Sequence, residues 1–286
     1  MLWEHLDSNS FPAAVEASKG VCIVPVGCIE KHGPHAPLGT DTIIAADTAR
    51  FAAEKEYAVV FPTMYFGEKS GAGEYPGTII FSLETLWHIF RETCKEIHRN
   101  GFKKILFVNG HGGNRSMLDS FSRCMMEEYP EIMIFNTVAG VAMRTSELVT
   151  YLDENQESYP YLTKEDHAAL ADFVAQKKIS GHAGLQETAR VLYFRPETID
   201  LSKISAEDGV STHLLDEYSE NKVSTPFTWM ASYPNSYEGS NDYILNERIA
   251  RAFGELSVEK LAQRIRFVKN ETTIDAYHAQ WLKKQK

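Results

Sequence analysis

The sequence predicts an α/β fold, a three-layer αβα sandwich with a mostly parallel central sheet, and three observations carry that expectation. Short apolar runs of strand type alternate with segments of helical periodicity between residues 21 and 136, the pattern of a parallel sheet covered on both faces by helices with right-handed crossovers. Val21–Val26 is apolar at every position, as a buried strand should be. The length of 286 residues is enough to bury a full core and is ordinary for one α/β domain spanning 1–286.

The elements follow in order. After Val21–Val26, a helical pattern runs over 42–55, a short β-type run over 58–61, and a second helix over Leu83–Arg99, with Ser82 as its N-cap and Asn100-Gly101 as its stop. A strand at 105–108, a helix at 116–128 and a strand at 132–136 complete the regular part. Beyond Gly140 the pattern loosens. The segment 147–176, rich in Tyr, Glu and Asp, is either a lid or interface element or an ordinary packed region whose Tyr151, Tyr159 and Tyr161 are half-buried. From 241 to 268 one or two amphipathic helices are expected, with Ile244, Leu245, Ile249, Phe253, Leu256, Leu261 and Ile265 on a recurring core-facing stripe.

Composition narrows the function. A net charge of −10 disfavours nucleic acid or an anionic membrane surface, both of which need a basic footprint, and points to a small molecule. Cys22, Cys28, Cys94 and Cys124 form no Cys-x-x-Cys pair, as expected of free thiols in a reducing compartment. The N-terminus has neither a basic start nor an apolar core of signal-peptide length, and no apolar run reaches the roughly 20 residues of a spanning helix. A cytoplasmic location is the expectation.

Chemistry concentrates at three places. Directly after the first strand, Gly27 to Asp41 packs Glu30, His32, His35 and Asp41 into a turn-rich segment, and Glu30 and His32, two positions apart in extended backbone, project to one side. Taken singly, these residues have plain alternatives: Asp41 as the N-cap of the following helix, His35 as an exposed residue between prolines. Together they form a donor set for zinc, manganese or iron. The strand at 105–108 runs into Asn109-Gly110-His111-Gly112-Gly113-Asn114, and in a parallel sheet a crevice outside the strands' carboxyl ends would bring His111 to the same cleft. The spacing is not that of a dinucleotide fingerprint, and no Lys-Ser/Thr follows as in a phosphate loop. Third, His182 stands at the start of an expected helix with Glu187 a turn and a half on; Glu187 could instead pair with Arg190 at helical spacing.

Together these segments resemble the creatininase (creatinine amidohydrolase) family of metal-dependent hydrolases. Pro25 to His35 followed by Pro37 to Asp41 is similar to its first signature, with Cys28-Ile29 and Lys31 at positions that usually hold Ser-Thr/Ile and Gln. Asn109 to Asn114 resembles its second, and His182-Ala183-Gly184 with Glu187-Thr188 its third. The resemblance implies a creatininase-like fold and two divalent ions per chain, Zn2+ with Mn2+ or Fe2+. Asp41 would bridge them, with Glu30 and His111 on one ion and His32 on the other. Creatininase supplies a further carboxylate two residues after the histidine of the second signature, where this chain has Gly113; the resemblance then points to Glu187, as ligand or as general base. His182 would be the proton shuttle.

The activity so implied is hydrolysis of a non-peptide C–N bond, in a cyclic amide, amide or formamide, through a metal-activated water. A formylaminopyrimidine deformylase-like enzyme and a metal-binding protein without turnover are the alternatives. The family resemblance also implies a homo-oligomer, commonly a hexamer. Two departures bear on substrate. Gly71 and Ala72 stand where many members carry a Glu-His pair, leaving Glu68, Lys69 and Glu74 as charged groups on that loop or as a solvated loop. Ser232 to Gly239 replaces a usual Ser-Gly-Val-x-Gly-Asp segment.

Overall fold

A computed structural model describes residues 1–69 and 71–284. Its sheet has four parallel strands, β1 (Val21–Val26), β2 (Val59–Val60), β3 (Lys104–Asn109) and β4 (Met133–Val138), in the order β2-β1-β3-β4. β1, β3 and β4 run in step, Val26 opposite Asn109 and Asn109 opposite Val138, so the loops that follow them leave the sheet side by side.

Because successive side chains of a strand point to opposite faces, the apolar strands feed two cores. Val21 and Ile23 of β1 with Leu106 and Val108 of β3 meet α2 (Thr40–Lys55), α7 (Leu185–Phe194) and α10 (Glu247–Asn270). Cys22, Val24, Ile105 and Phe107 face α1 (Phe11–Ala17), α3 (Leu83–Arg99) and α4 (Asn114–Glu128). These are the three expected layers. Between α4 and α7 lie α5 (Thr145–Glu154) and α6 (Lys164–Ala175); short α8 (Asp216–Glu220) and α9 (Phe227–Ser232) precede α10, and α11 (Thr273–Lys284) follows it.

Several boundaries move for identifiable reasons. The Ser82 hydroxyl caps α3 by accepting the Thr85 amide hydrogen at 3.1 Å, and Gly101 follows the helix at φ 101°. The expected strand at 58–61 shrinks to Val59–Val60, because only Cys22 and Ile23 of β1 pair with it. α2 begins at Thr40 with Gly39 as cap, so Asp41 is not an N-cap: it lies inside the first turn with its carboxylate turned to the site. α10 starts at Glu247 under the Asn246 side chain, which accepts the Ile249 amide hydrogen. Ile244 therefore falls outside the stripe and is 67% exposed. Tyr159 is buried, and Tyr151 and Tyr161 half-buried, in a third apolar cluster with α6, α7 and α10; the segment 147–176 is packed structure rather than a lid.

Candidate metal centre

The site forms where the loops after β1 and β3 meet the first turn of α2. That approach needs glycine twice: a Cβ on Gly27 would lie 2.4 Å from the Thr42 Cα, and one on Gly110 would lie 2.2 Å from the Asp41 carbonyl oxygen. An amide network then ties the loops together. Asn109 accepts the His111 amide hydrogen at 3.0 Å and donates to the His111 carbonyl at 2.7 Å. Asn114 donates to the Gly27 carbonyl at 3.2 Å and accepts the Glu68 amide hydrogen at 2.7 Å.

Glu30, His32, Asp41 and His111 are all buried. His111 Nδ1 lies 2.9 Å from Glu30 Oε1 and 2.8 Å from Asp41 Oδ2. His32 Nε2 lies 3.2 Å from Asp41 Oδ1 and 3.8 Å from Glu187 Oε2. The Cys28 thiol joins them, 3.1 Å from Asp41 Oδ2 and 3.3 Å from Glu30 Oε1. The far nitrogens of both rings face carbonyl oxygens, which only accept: His111 Nε2 donates to Glu68 at 2.9 Å and His32 Nδ1 to Glu30 at 3.2 Å. Such outer partners fix the tautomer that aims the other nitrogen's lone pair at a cation.

Charge is concentrated accordingly. Burial works against ionisation of Glu30, yet His111 and His182 bring its carboxyl down to about 2. Asp41, likewise opposed by burial, is held well below the usual carboxylate range by His32 and His111. Burial lowers both histidines, but the Asp41 carboxylate outweighs it and raises His32 to about 9 and His111 to about 10. The carboxylates thus draw protons onto two buried imidazoles, a charge demand that divalent cations meet equally well. Glu30 Oε2 is buried without a hydrogen-bond partner, although the Lys69 ammonium stands 2.6 Å away as an ion pair.

His182 and Glu187 enter from the turn before α7. His182 stacks on His32 with ring centres 4.1 Å apart and donates from Nε2 to the Lys31 carbonyl at 2.7 Å; burial, and then the charge of His32, lower it to about 4. Glu187 accepts the Ala183 amide hydrogen at 2.7 Å, and burial pushes its carboxyl up to about 7. It does not pair with Arg190, whose guanidinium goes to Gln186 at 2.7 Å and Ser257 at 3.0 Å. His35 is not an exposed loop residue: it is buried, with Nε2 3.1 Å from the Ala183 carbonyl and 3.0 Å from the Thr188 hydroxyl, strapping the first segment to the third.

Above these donors lies a cavity of about 380 Å³ whose walls include Lys69, His182, Glu187 and Trp229. Sequence reasoning missed its roof. Trp229 of α9 packs edge-on to His182 at 5.4 Å, lies under the Lys69 ammonium at 5.0 Å and donates to Glu238 at 2.9 Å. The only signal was an apolar Pro226-Phe227-Thr228-Trp229-Met230 run outside any periodic element. Of the loop charges, Lys69 is buried, Glu68 is half-buried and Glu74 is solvated. A larger hollow of about 700 Å³ beside α5 and α6 is lined by Arg144, Lys177 and Lys178 and holds no such donors.

Fold and site define an α/β protein with imidazoles and carboxylates gathered at the carboxyl edge of a parallel sheet. The family described as Creatininase: Creatinine amidohydrolase matches residues 4–265, and the chain belongs to the creatininase family. Creatinine amidohydrolase of Pseudomonas putida is 24% identical over 232 residues, 78% of this chain and 82% of that protein. The mycofactocin precursor peptide peptidase of Mycolicibacterium smegmatis is 39% identical over 98 residues, 32% of this chain and 39% of that protein. A solved structure described as creatininase with manganese superposes with a TM-score of 0.70 at 19% identity, covering 94% of this chain and 99% of that one.

Proposed function

We propose that this chain is a metal-dependent amidohydrolase that cleaves a non-peptide C–N bond of a small cyclic amide, amide or formamide. One observation carries the reading: Asp41 belongs to two donor groups at once, one with Cys28, Glu30 and His111 and one with His32 and Glu187. A carboxylate shared in this way suits a pair of divalent ions, with zinc, manganese or iron matching the nitrogen and oxygen donors.

When bound, such a pair supplies a water acidified toward neutrality and a Lewis acid for the substrate carbonyl. The chain's own groups do the rest. His182, which stacks on His32 and lines the cavity, takes up a proton and returns it to the leaving nitrogen. Glu187, its carboxyl pushed to about 7, is the second group able to do so where it does not serve as a ligand. Trp229 and Met230 close the cavity over them, and about 380 Å³ lies in the roughly 300–1,000 Å³ range of small-molecule sites.

The test is elemental analysis of protein purified without chelator or metal-affinity tag, followed by a panel of cyclic ureides, lactams, formamides and short peptides assayed with zinc, manganese and iron separately. About two ions per chain and turnover of a small amide are expected. A stoichiometry well below one, with no gain on adding metal, would overturn the reading. Turnover of peptides alone would replace it with a peptidase, the activity named for the Mycolicibacterium smegmatis relative.

A further inference from the structure

The Cys28 thiol belongs to one of those donor groups, yet the function just described gives it no task of its own. Its Sγ lies 3.1 Å from Asp41 Oδ2 and 3.3 Å from Glu30 Oε1, and the same two oxygens lie 2.8 and 2.9 Å from His111 Nδ1. The four atoms close a ring of alternating acceptors and donors. One S–H and one ring N–H must serve four contacts, so at least two of the four lack a proton. Hydrogen bonding alone is a poor reason to crowd these atoms together. A cation at the centre satisfies all four: tetrahedral zinc, with bonds of about 2.0–2.3 Å, needs donors roughly 3.3–3.8 Å apart, a slight expansion of the ring observed.

We propose that Cys28 is a fourth protein ligand to the ion held by Glu30, Asp41 and His111, through Sγ as thiolate, its proton passing to solvent as the metal binds. The inference rests on the metal reading above. It makes the two centres unequal. Thiolate selects zinc over the harder manganese, and four protein donors in a tetrahedral set form a closed site of the structural type. The open position then belongs to the centre of His32, Asp41 and Glu187, beside His182.

The test uses the full-length protein reconstituted with zinc and, separately, with cobalt. X-ray absorption at the zinc edge should show a sulfur neighbour at about 2.3 Å beside nitrogen and oxygen at about 2.0–2.2 Å. The cobalt form should show a thiolate-to-metal charge-transfer band in the near ultraviolet that is absent from Cys28→Ser, while the visible ligand-field bands persist. Serine keeps the hydrogen bond to the carboxylates, so a role in hydrogen bonding alone predicts an unchanged ratio of zinc to manganese affinity. Ligation predicts a fall in zinc affinity beyond the roughly 10–100-fold cost of losing an outer partner, and a much smaller change for manganese. Cobalt bound with ligand-field bands but no sulfur signature would overturn the Cys28 proposal and leave the metal reading standing. Absence of bound cobalt and zinc alike would sink both. The absorption measurement on the unaltered protein decides the matter even where Cys28→Ser fails to fold.

Discussion

Replacing Lys69 by methionine separates the charge of the site from its packing. The Lys69 ammonium lies 2.6 Å from Glu30 Oε2, and the two side chains are 7% and 0% exposed. At an effective dielectric constant of about 20 the attraction is roughly 6 kcal/mol. Removing the lysine also removes its own desolvation cost, and breaking one side of a buried pair costs about 3–5 kcal/mol. Methionine retains most of the stem, so this loss is electrostatic. In chelator-treated protein the variant should therefore be about 3 kcal/mol less stable. With metal on Glu30 the carboxylate has another counter-charge and the loss should fall to about 1 kcal/mol. The thermodynamic cycle then requires metal to bind the variant about 2 kcal/mol, or roughly 30-fold, more tightly. Urea denaturation with and without saturating zinc, together with competitive metal titration, reads both arms. Equal destabilisation in the two states, or weaker metal binding by the variant, would refute the view that lysine and metal compete for Glu30.

Four further outcomes are expected. Asp41→Asn should cut metal content from about two ions per chain to below about one by elemental analysis, because both donor groups lose their shared member. His182→Gln should retain metal while losing roughly 10²–10⁴-fold in kcat, whereas Glu187→Gln should lose metal as well if it is a ligand. His35 is lowered from 6.5 to about 4, first by burial, so between those pH values only the unfolded chain takes its proton. Stability complete above pH 6.5 is then lost on acidification, by up to about 3 kcal/mol at about 1.4 kcal/mol per unit, and His35→Gln should flatten that part of a pH series of urea midpoints. Light scattering should show a closed oligomer, since Val210, Leu214 and Phe227 are 73%, 72% and 66% exposed; a stable monomer at micromolar concentration would refute it.

How far the sequence discloses the fold depends on where burial acts. β1 and β3 are apolar at nearly every position because both faces are covered, and α3 carries its own start and stop chemistry in Ser82 and Gly101, so the alternation was legible from β1 to β4. α5, α6 and α9 were not. α5 and α6 take their positions from packing against α7 and α10, with partners as distant in sequence as Arg248, which donates to Asp166, and α9 is placed by Trp229 against His182; no local periodicity reports such pairings.

The donors were legible for a different reason: Glu30, His32 and His111 are delivered by glycine-rich segments that follow strand ends, and Asp41 by the helix start that follows the first of them, so chemistry and punctuation coincide in sequence. Glu187 and the cavity roof lack that mark. A carboxylate two residues after His111 would have signalled itself, but Gly113 has no room for one, since a Cβ there would stand 2.5 Å from His111 Nε2 and 2.8 Å from Glu68 Oε2. The carboxylate nearest to His32 besides Asp41 comes instead from the first turn of α7, 3.8 Å away and 155 residues later in the chain. Its position there is set by the Ala183 amide, which it accepts at 2.7 Å, and by His35, which anchors that turn through the Ala183 carbonyl at 3.1 Å. Neither bond leaves a pattern in the sequence. The glycine at 113 therefore leaves that space to Glu68, and the donor group of His32, Asp41 and Glu187 depends on a helix whose position the far end of the chain decides.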